Sequence, residues 1–233
     1  MNNAQISPLS QWSGAVKDAK RDLILDAARD EFAEKGLEGV TMRSIAVRAG
    51  CTTGAIYPLF ESKEVVYAAL LEQSLSRLDA HVAAAISAVR EPRVQVDAGC
   101  RAFLDYYLLH RFEVNLGLYA FRGIKRQGVG KSADRRLNQA LWKVLQRIAA
   151  PLAVARGVSA AAAKPIVMLL FSQMIGALVL QLAGRLDQVR MDASLLLRMQ
   201  LGQLWTLPLA PVEASRRGTN RPKAKPAGLK SKS

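Results

Sequence analysis

Apolar residues recur every three or four positions along most of this chain while strand-type alternation is scarce, and that regularity restricts the fold to packed helices. In residues 19–35, Ile24, Ala28 and Phe32 fall four apart on one face with charged residues opposite, and Gly36 and Gly39 then supply helix-stop chemistry. Between Glu64 and Val89, the residues Leu71, Leu75, Leu78, Val82, Ile86 and Val89 form one continuous stripe, which Pro92 closes. Further helices are expected at 93–109, 114–126, 131–155, 160–185 and 192–205; in 131–155, Leu137, Leu141, Val144, Ile148 and Leu152 repeat the spacing. The expected fold class is therefore all-α.

Composition removes several functions. With 233 residues, half of them hydrophobic, the chain can bury a proper core and is not a disordered one. Its two cysteines, Cys51 and Cys100, make neither a disulfide framework nor a zinc site, which points to a reducing cytoplasm. Cys51 reads as a small core residue rather than a redox switch. The opening run MNNAQISPLSQW has no secretory pattern. The histidines His81 and His110 stand apart from any ligand cluster, so no metal is expected; no nucleophile–base pair or phosphate loop suggests an enzyme, and no cofactor is implied. Residues 165–184 are uncharged and long enough to span a bilayer, yet Ser172, Gln173 and Gln181 and the lack of flanking aromatics favour a helix buried between its own core and a second subunit.

A formal charge of +14 makes a polyanion the first partner to consider. The charge is unevenly placed: residues 1–66 carry a net −1, residues 67–212 a net +9 and residues 213–233 a net +6. The last block, rich in Pro, Gly and basic residues, has too little apolar surface to offset its ordering entropy. It reads as a disordered basic tail that attracts phosphates without sequence preference.

The informative stretch is TMRSIAVRAGCTTGAIYPLF, residues 41–60. Thr41 suits the N-cap of a short helix whose Ile45 and Ala46 face inward, and Ala49-Gly50-Cys51-Thr52 supplies a tight turn. Thr52 or Thr53 then caps a second short helix. Two short helices joined by a glycine-containing turn form a helix-turn-helix, whose second helix enters the major groove of DNA. Thr52, Thr53, Gly54 and Ala55 are small enough to let that helix approach base edges, and Tyr57 and Lys63 offer an O–H and an ammonium for phosphates.

The residues from Ile24 to Lys63, with AARDEFAEKG followed by TMRSIAVRAGCTTGAIYPLFESKE, resemble the DNA-binding domain of the tetracycline-repressor (TetR/AcrR) family of transcriptional regulators. The resemblance implies a three-helix helix-turn-helix domain, expected at 19–64, and a helical ligand-binding and dimerisation domain, expected at 65–210; the residues outside them are expected to form a flexible arm at 1–18 and the disordered basic tail at 211–233. It implies that Thr41 and Arg43 lie near the DNA backbone, that Thr52, Thr53, Gly54 and Ala55 face the groove and that Tyr57 and Lys63 reach phosphates. Two features depart from the family pattern. Pro58 and Leu59 stand where a His and an aromatic are common, so the recognition helix is expected to end early. The motif block is also slightly acidic, with Asp22, Asp26, Asp30, Glu31 and Glu34 gathered on the first helix; if these face away, Arg43, Arg48 and Lys63 remain near DNA.

The candidate effector contacts are Cys100, Phe103, Tyr107, His110, Tyr119, Arg122, Trp142, Phe171 and Met174, an aromatic and apolar set with a few polar groups. The basic excess of the middle block permits an anionic effector such as an acyl-coenzyme A or an aromatic acid. Homodimerisation is expected through the helices near 160–185 and 192–205, with a palindromic DNA operator as partner and no membrane. The rival readings are a helical small-molecule carrier and a membrane-associated helical protein.

Overall fold

The computed structural model describes residues 8–119 and 131–206, and every regular element among them is a helix. The order is α1 (Pro8–Gly39), α2 (Met42–Arg48), α3 (Thr53–Ile56), α4 (Lys63–Ser87), α5 (Pro92–Leu109), α6 (Arg111–Tyr119), α7 (Lys131–Arg156), α8 (Ala160–Leu182), a 3₁₀ turn at Asp187–Val189 and α9 (Ala193–Thr206). The basic tail expected at 211–233 and Arg122 lie outside the described residues.

Local chemistry explains most boundaries. α1 is interrupted at Gly36, where φ is +66°, as the glycine pattern predicts. It begins earlier than expected, at Pro8, so residues 8–18 of the expected arm are helical. Proline suits a first helical turn, and between it and Lys20 only Gly14 disfavours a helix. Trp12 and Val16 are 76% and 58% exposed there, clear of the core. α4 stops at Ser87, and Pro92 opens α5, where the Glu91 carboxylate accepts from the backbone N–H groups of Arg93 and Val94. α6 begins three residues before its expected start because only His110 separates it from α5.

Two hydrophobic cores result. The first gathers Ile24, Leu25, Ala28 and Phe32 of α1 with Ile45, Ile56, Phe60, Val66, Tyr67 and Leu70; the second joins α4 beyond Leu75 with α5, α7, α8 and α9. The boundary expected at 64/65 thus falls inside α4, whose first two turns belong to the N-terminal core. A regular helix offers no hinge at its own interior, so α4 is shared by both units. On its outer side α4 meets α7 through ion pairs of matched spacing: Glu72 with Arg136 at 2.8 Å, and Asp79 with Lys143 at 3.1 Å and with Nε and Nη2 of Arg147. Arg147, opposed by the burial of the carboxylate, holds Asp79 below the usual carboxyl range. Gly99 permits the close approach of α5, since a Cβ there would stand 2.9 Å from Ile86 Cδ1 and 3.0 Å from Ile148 Cγ1.

The uncharged helix α8 has two apolar faces. Ala163, Ile166, Val167, Leu170, Met174, Ala177 and Leu178 are buried in the C-terminal core, whereas Met168, Leu169, Val179 and Leu180 are 41–59% exposed. By length and composition alone α8 could cross a membrane, but its packed face belongs to a helical core that includes α7 and α9.

Candidate nucleic-acid interface and effector region

α2 is set by a reciprocal cap: the Ser44 N–H donates to Thr41 Oγ1 and the Thr41 N–H to Ser44 Oγ, each at 3.1 Å. It ends in a Schellman turn, in which the Cys51 N–H donates to the Ala46 carbonyl at 2.9 Å and the Gly50 N–H to Val47 at 3.2 Å. Gly50 carries the left-handed φ of +65° that this closure needs. Cys51 is half-buried and packs against the N-terminal core.

α3 is a single turn, because Pro58 has no N–H to extend it and the chain tightens instead, with Leu59 and Phe60 N–H groups both donating to the Ile56 carbonyl. The early end expected from Pro58 is therefore present. Ile56 is fully buried and anchors the helix; Thr52 and Gly54 are exposed, Tyr57 is 53% exposed, and Thr53 and Ala55 are half-buried. These residues present a small-residue face bounded by the Tyr57 hydroxyl. Thr52 occupies the N-cap without a side-chain capping bond, so its hydroxyl is uncommitted there. On α2, Thr41 and Arg43 are exposed, and Arg43 makes no ion pair among the described residues. Val47, one turn beyond Arg43 and 73% exposed, shares that surface; sequence spacing alone marks it as no different from a core valine.

One expected phosphate contact, Lys63, and one cation expected to remain near DNA, Arg48, are placed otherwise. The Lys63 ammonium donates to the Leu37 carbonyl at 2.9 Å and to Val40 at 3.1 Å, closing the end of α1 onto the start of α4. Arg48 turns toward α1, where it pairs with Glu31 at 2.8 Å and with Glu34. Of the three cations expected near DNA, Arg43 is the one that stays uncommitted, because both others satisfy carboxylates or helix-end carbonyls brought close by tertiary packing. Glu31 is 3% exposed and is held down to about pKa 2, first by the Lys35 ammonium and then by Ser44 and Arg48, against the opposing effect of burial. A depressed carboxyl contributes stability that is complete above its ordinary value of 4.5 and is lost as pH falls toward 2. Urea midpoints taken across that window should fall less steeply for Glu31→Gln than for the wild type, by up to about one proton in slope. Parallel pH profiles for the two proteins would show the pairing to be idle.

The effector candidates divide into groups. Phe103, wholly buried, packs edge-on against Phe171 at 5.9 Å and Tyr107 at 5.1 Å, and Met174 and Cys100 are wholly buried in the same core. Burial, aided by Asp97, raises the Cys100 thiol to about 12, so it packs as an inert apolar core group. Trp142 is half-buried with the Lys164 ammonium 6.0 Å above its ring. His110 is exposed at the end of α5, its ring 4.5 Å from that of the buried Tyr106. Tyr119 closes α6, with its side chain outside the described residues.

A buried polar cluster escapes the sequence reading altogether. Glu113 of α6 accepts from Ser74 Oγ and Tyr106 O–H, each at 2.6 Å, and from the Arg77 guanidinium. Burial drives this carboxyl upward, but the three donors outweigh it and leave it below the usual range. Burial is also the main cause that raises Tyr106 to about 12 and pushes Tyr107 up as well. A Glu in a short helix that also carries Arg111 and Asn115 reads as a surface residue, so nothing in the sequence marks Glu113.

Comparison with known proteins bears on this geometry. Residues 24–70 match the profile described as bacterial regulatory proteins of the tetR family. The activator FasR of Mycolicibacterium smegmatis is 31% identical over 90 residues, covering 39% of this chain and 41% of that protein. The repressor KstR2 of Rhodococcus jostii is 39% identical over 71 residues, covering 30% of this chain and 34% of that protein. The chain thus matches well under half the length of these curated relatives. Among solved structures, the putative regulatory protein SCO4313 superposes with a TM-score of 0.67 at 18% identity, covering 82% of this chain and 97% of that one. The regulator FadR of Bacillus subtilis, solved in complex with stearoyl-CoA, superposes with a TM-score of 0.63 at 16% identity, covering 79% and 97%. At such identities the superpositions establish the shared all-helical fold.

Proposed function

We propose that this chain, whose residues 24–70 form a tetR-family regulatory domain, is a homodimeric, ligand-responsive transcriptional repressor acting on operator DNA in the cytoplasm. The observation that carries the reading is the α2–α3 unit. It buries Ile45, Ala46 and Ile56 inward and leaves Thr41, Arg43, Thr52, Gly54 and Tyr57 on its exposed surface. In this arrangement Arg43 and the Thr41 and Tyr57 hydroxyls hold the phosphate backbone, while Thr52, Thr53, Gly54 and Ala55 meet base edges and thymine methyls. Lys63 acts by fixing α1 against α4 rather than by touching DNA. Two copies joined through the exposed faces of α8 and α9 would space their α3 helices about one DNA turn apart, roughly 34–36 Å, which selects a palindrome.

The C-terminal core, with Phe103, Tyr107, Phe171 and Met174 at its centre, suits an apolar effector chain. The stearoyl-CoA bound by the Bacillus subtilis neighbour supports an acyl-coenzyme A as the class to test first, and the net +9 of residues 67–212 suits its anionic head. Effector binding would lower operator affinity by its preference for the non-binding spacing.

Selection of duplexes from a random library by the full-length protein, followed by sequencing, tests the DNA reading. A two-fold symmetric site is expected, bound at least about a thousandfold more tightly than scrambled DNA at fixed salt. Equal binding of the two duplexes would overturn it.

A further inference from the structure

Between the two cores stands one short helix. α6 places Val114 in the C-terminal core and Leu116, 3% exposed, in the N-terminal core. Its backbone is held there by the Tyr67 O–H, which donates to the Leu116 carbonyl; the Tyr67 ring in turn meets Phe32 of α1 edge-on at 5.4 Å. On the other side α6 is held by Glu113, whose carboxylate takes donors from α4 (Ser74, Arg77) and from α5 (Tyr106). The Tyr106 ring lies 5.5 Å from Tyr107, which packs against Phe103, so this carboxylate is one hydrogen bond and two ring contacts from the buried aromatic set. Asp79, on the same helix α4, is also a buried carboxylate, yet among the described residues its partners are Lys143 and Arg147 of α7 and none belongs to α6.

We infer that Glu113 is a positioning residue for DNA reading: it clamps α6 to α4 and α5, and through Leu116 and Tyr67 that clamp sets how firmly the helix-turn-helix core is held. The inference rests on the proposed operator function for its biological meaning, but not for its physical content. A carboxylate that accepts three donors in a buried site cannot be withdrawn without leaving donors unpaired, so releasing the junction carries a cost that an effector must offset. An effector that displaces Tyr106 or Tyr107 would release it.

Hydrogen exchange of the full-length protein, read by mass spectrometry over 41–60 and 111–117, separates this role from a merely stabilising one. Glu113→Gln removes the charge and keeps the shape, and Asp79→Asn makes the same change against α7. Glu113→Gln is expected to speed exchange about tenfold in both 111–117 and 41–60, while Asp79→Asn leaves those segments near wild type. If Glu113→Gln unfolds the chain, Tyr106→Phe carries the test, with the same two segments responding less strongly. The inference is overturned if the Glu113 and Asp79 variants share one exchange pattern, or if the Tyr106 and Glu113 effects stop short of 41–60. Exchange needs no DNA, so absence of a selected operator would sink the functional proposal and leave this result standing. A bound operator with an unresponsive 41–60 segment would do the reverse.

Discussion

Gly54→Glu is expected to leave the protein folded and abolish operator recognition. A Cβ at Gly54 would meet nothing closer than Thr52 Oγ1 at 3.8 Å, and the position is exposed, so the fold has room for a side chain there. The new carboxylate would point from the exposed face of α3 toward the phosphates and base edges that this face is proposed to approach. Like-charge repulsion and lost close contact of about 2 kcal/mol per half-site, present twice in a dimer, amount to about a thousandfold loss of operator affinity. Melting temperature should stay within a few degrees of wild type, as befits an exposed substitution. Operator titrations at constant salt, run beside a thermal melt, give both numbers; a variant that still binds the selected palindrome would remove α3 from the groove.

The other large effect concerns α8. Leu169 and Leu180 are 59% and 42% exposed, and Ser172 and Gly176 lie between them on the exposed side of the same helix, leaving room for close approach by a second helix. Replacing both leucines by Arg places two cations per chain, four per dimer, in the proposed interface, whose α8 and α9 segments carry no carboxylate to meet them. Each unpaired buried charge costs several kcal/mol, so the dimer should dissociate by more than about a thousandfold in Kd. Because the leucines are exposed in the single chain, the helical content and thermal transition of the protomer should persist. Sedimentation at micromolar concentration is expected to show the wild type at twice 25.4 kDa and the double variant at 25.4 kDa. A wild type that itself sediments as one chain would refute this interface, and with it the spacing of the two reading helices.

Much of the fold is legible in the sequence because it depends on local chemistry. The three- and four-residue stripe of α4, the stop at Gly36, the turn at Gly50 and the shortening of α3 by Pro58 each follow from neighbouring residues and a backbone rule. What sequence reading misplaces is long-range. Lys63 and Arg48 look like free cations beside a DNA-reading helix, and only packing shows that carbonyls 23 and 26 residues away and a carboxylate 17 residues away have claimed them. Glu113 has the opposite history: an ordinary acid by sequence, it becomes the most connected buried carboxylate of the junction because α4 and α5 arrive with Ser74, Arg77 and Tyr106. The place of His110 is decided in the same way, since the end of α5 turns it to solvent against the Tyr106 ring.

The amino-acid sequence by itself determined the all-helical class, the capped turn that joins α2 to α3 and the small residues at the front of α3, since these need only periodicity and short-range capping. Charge, in contrast, is read from sequence as a total, and +14 says nothing of which cations are spent inside the molecule. The tertiary structure decided that, along with the sharing of α4 by two cores and the clamp at Glu113. Electrostatic and hydrogen-bond partners are chosen by distance in space, and distance between remote segments is fixed only when the helices pack.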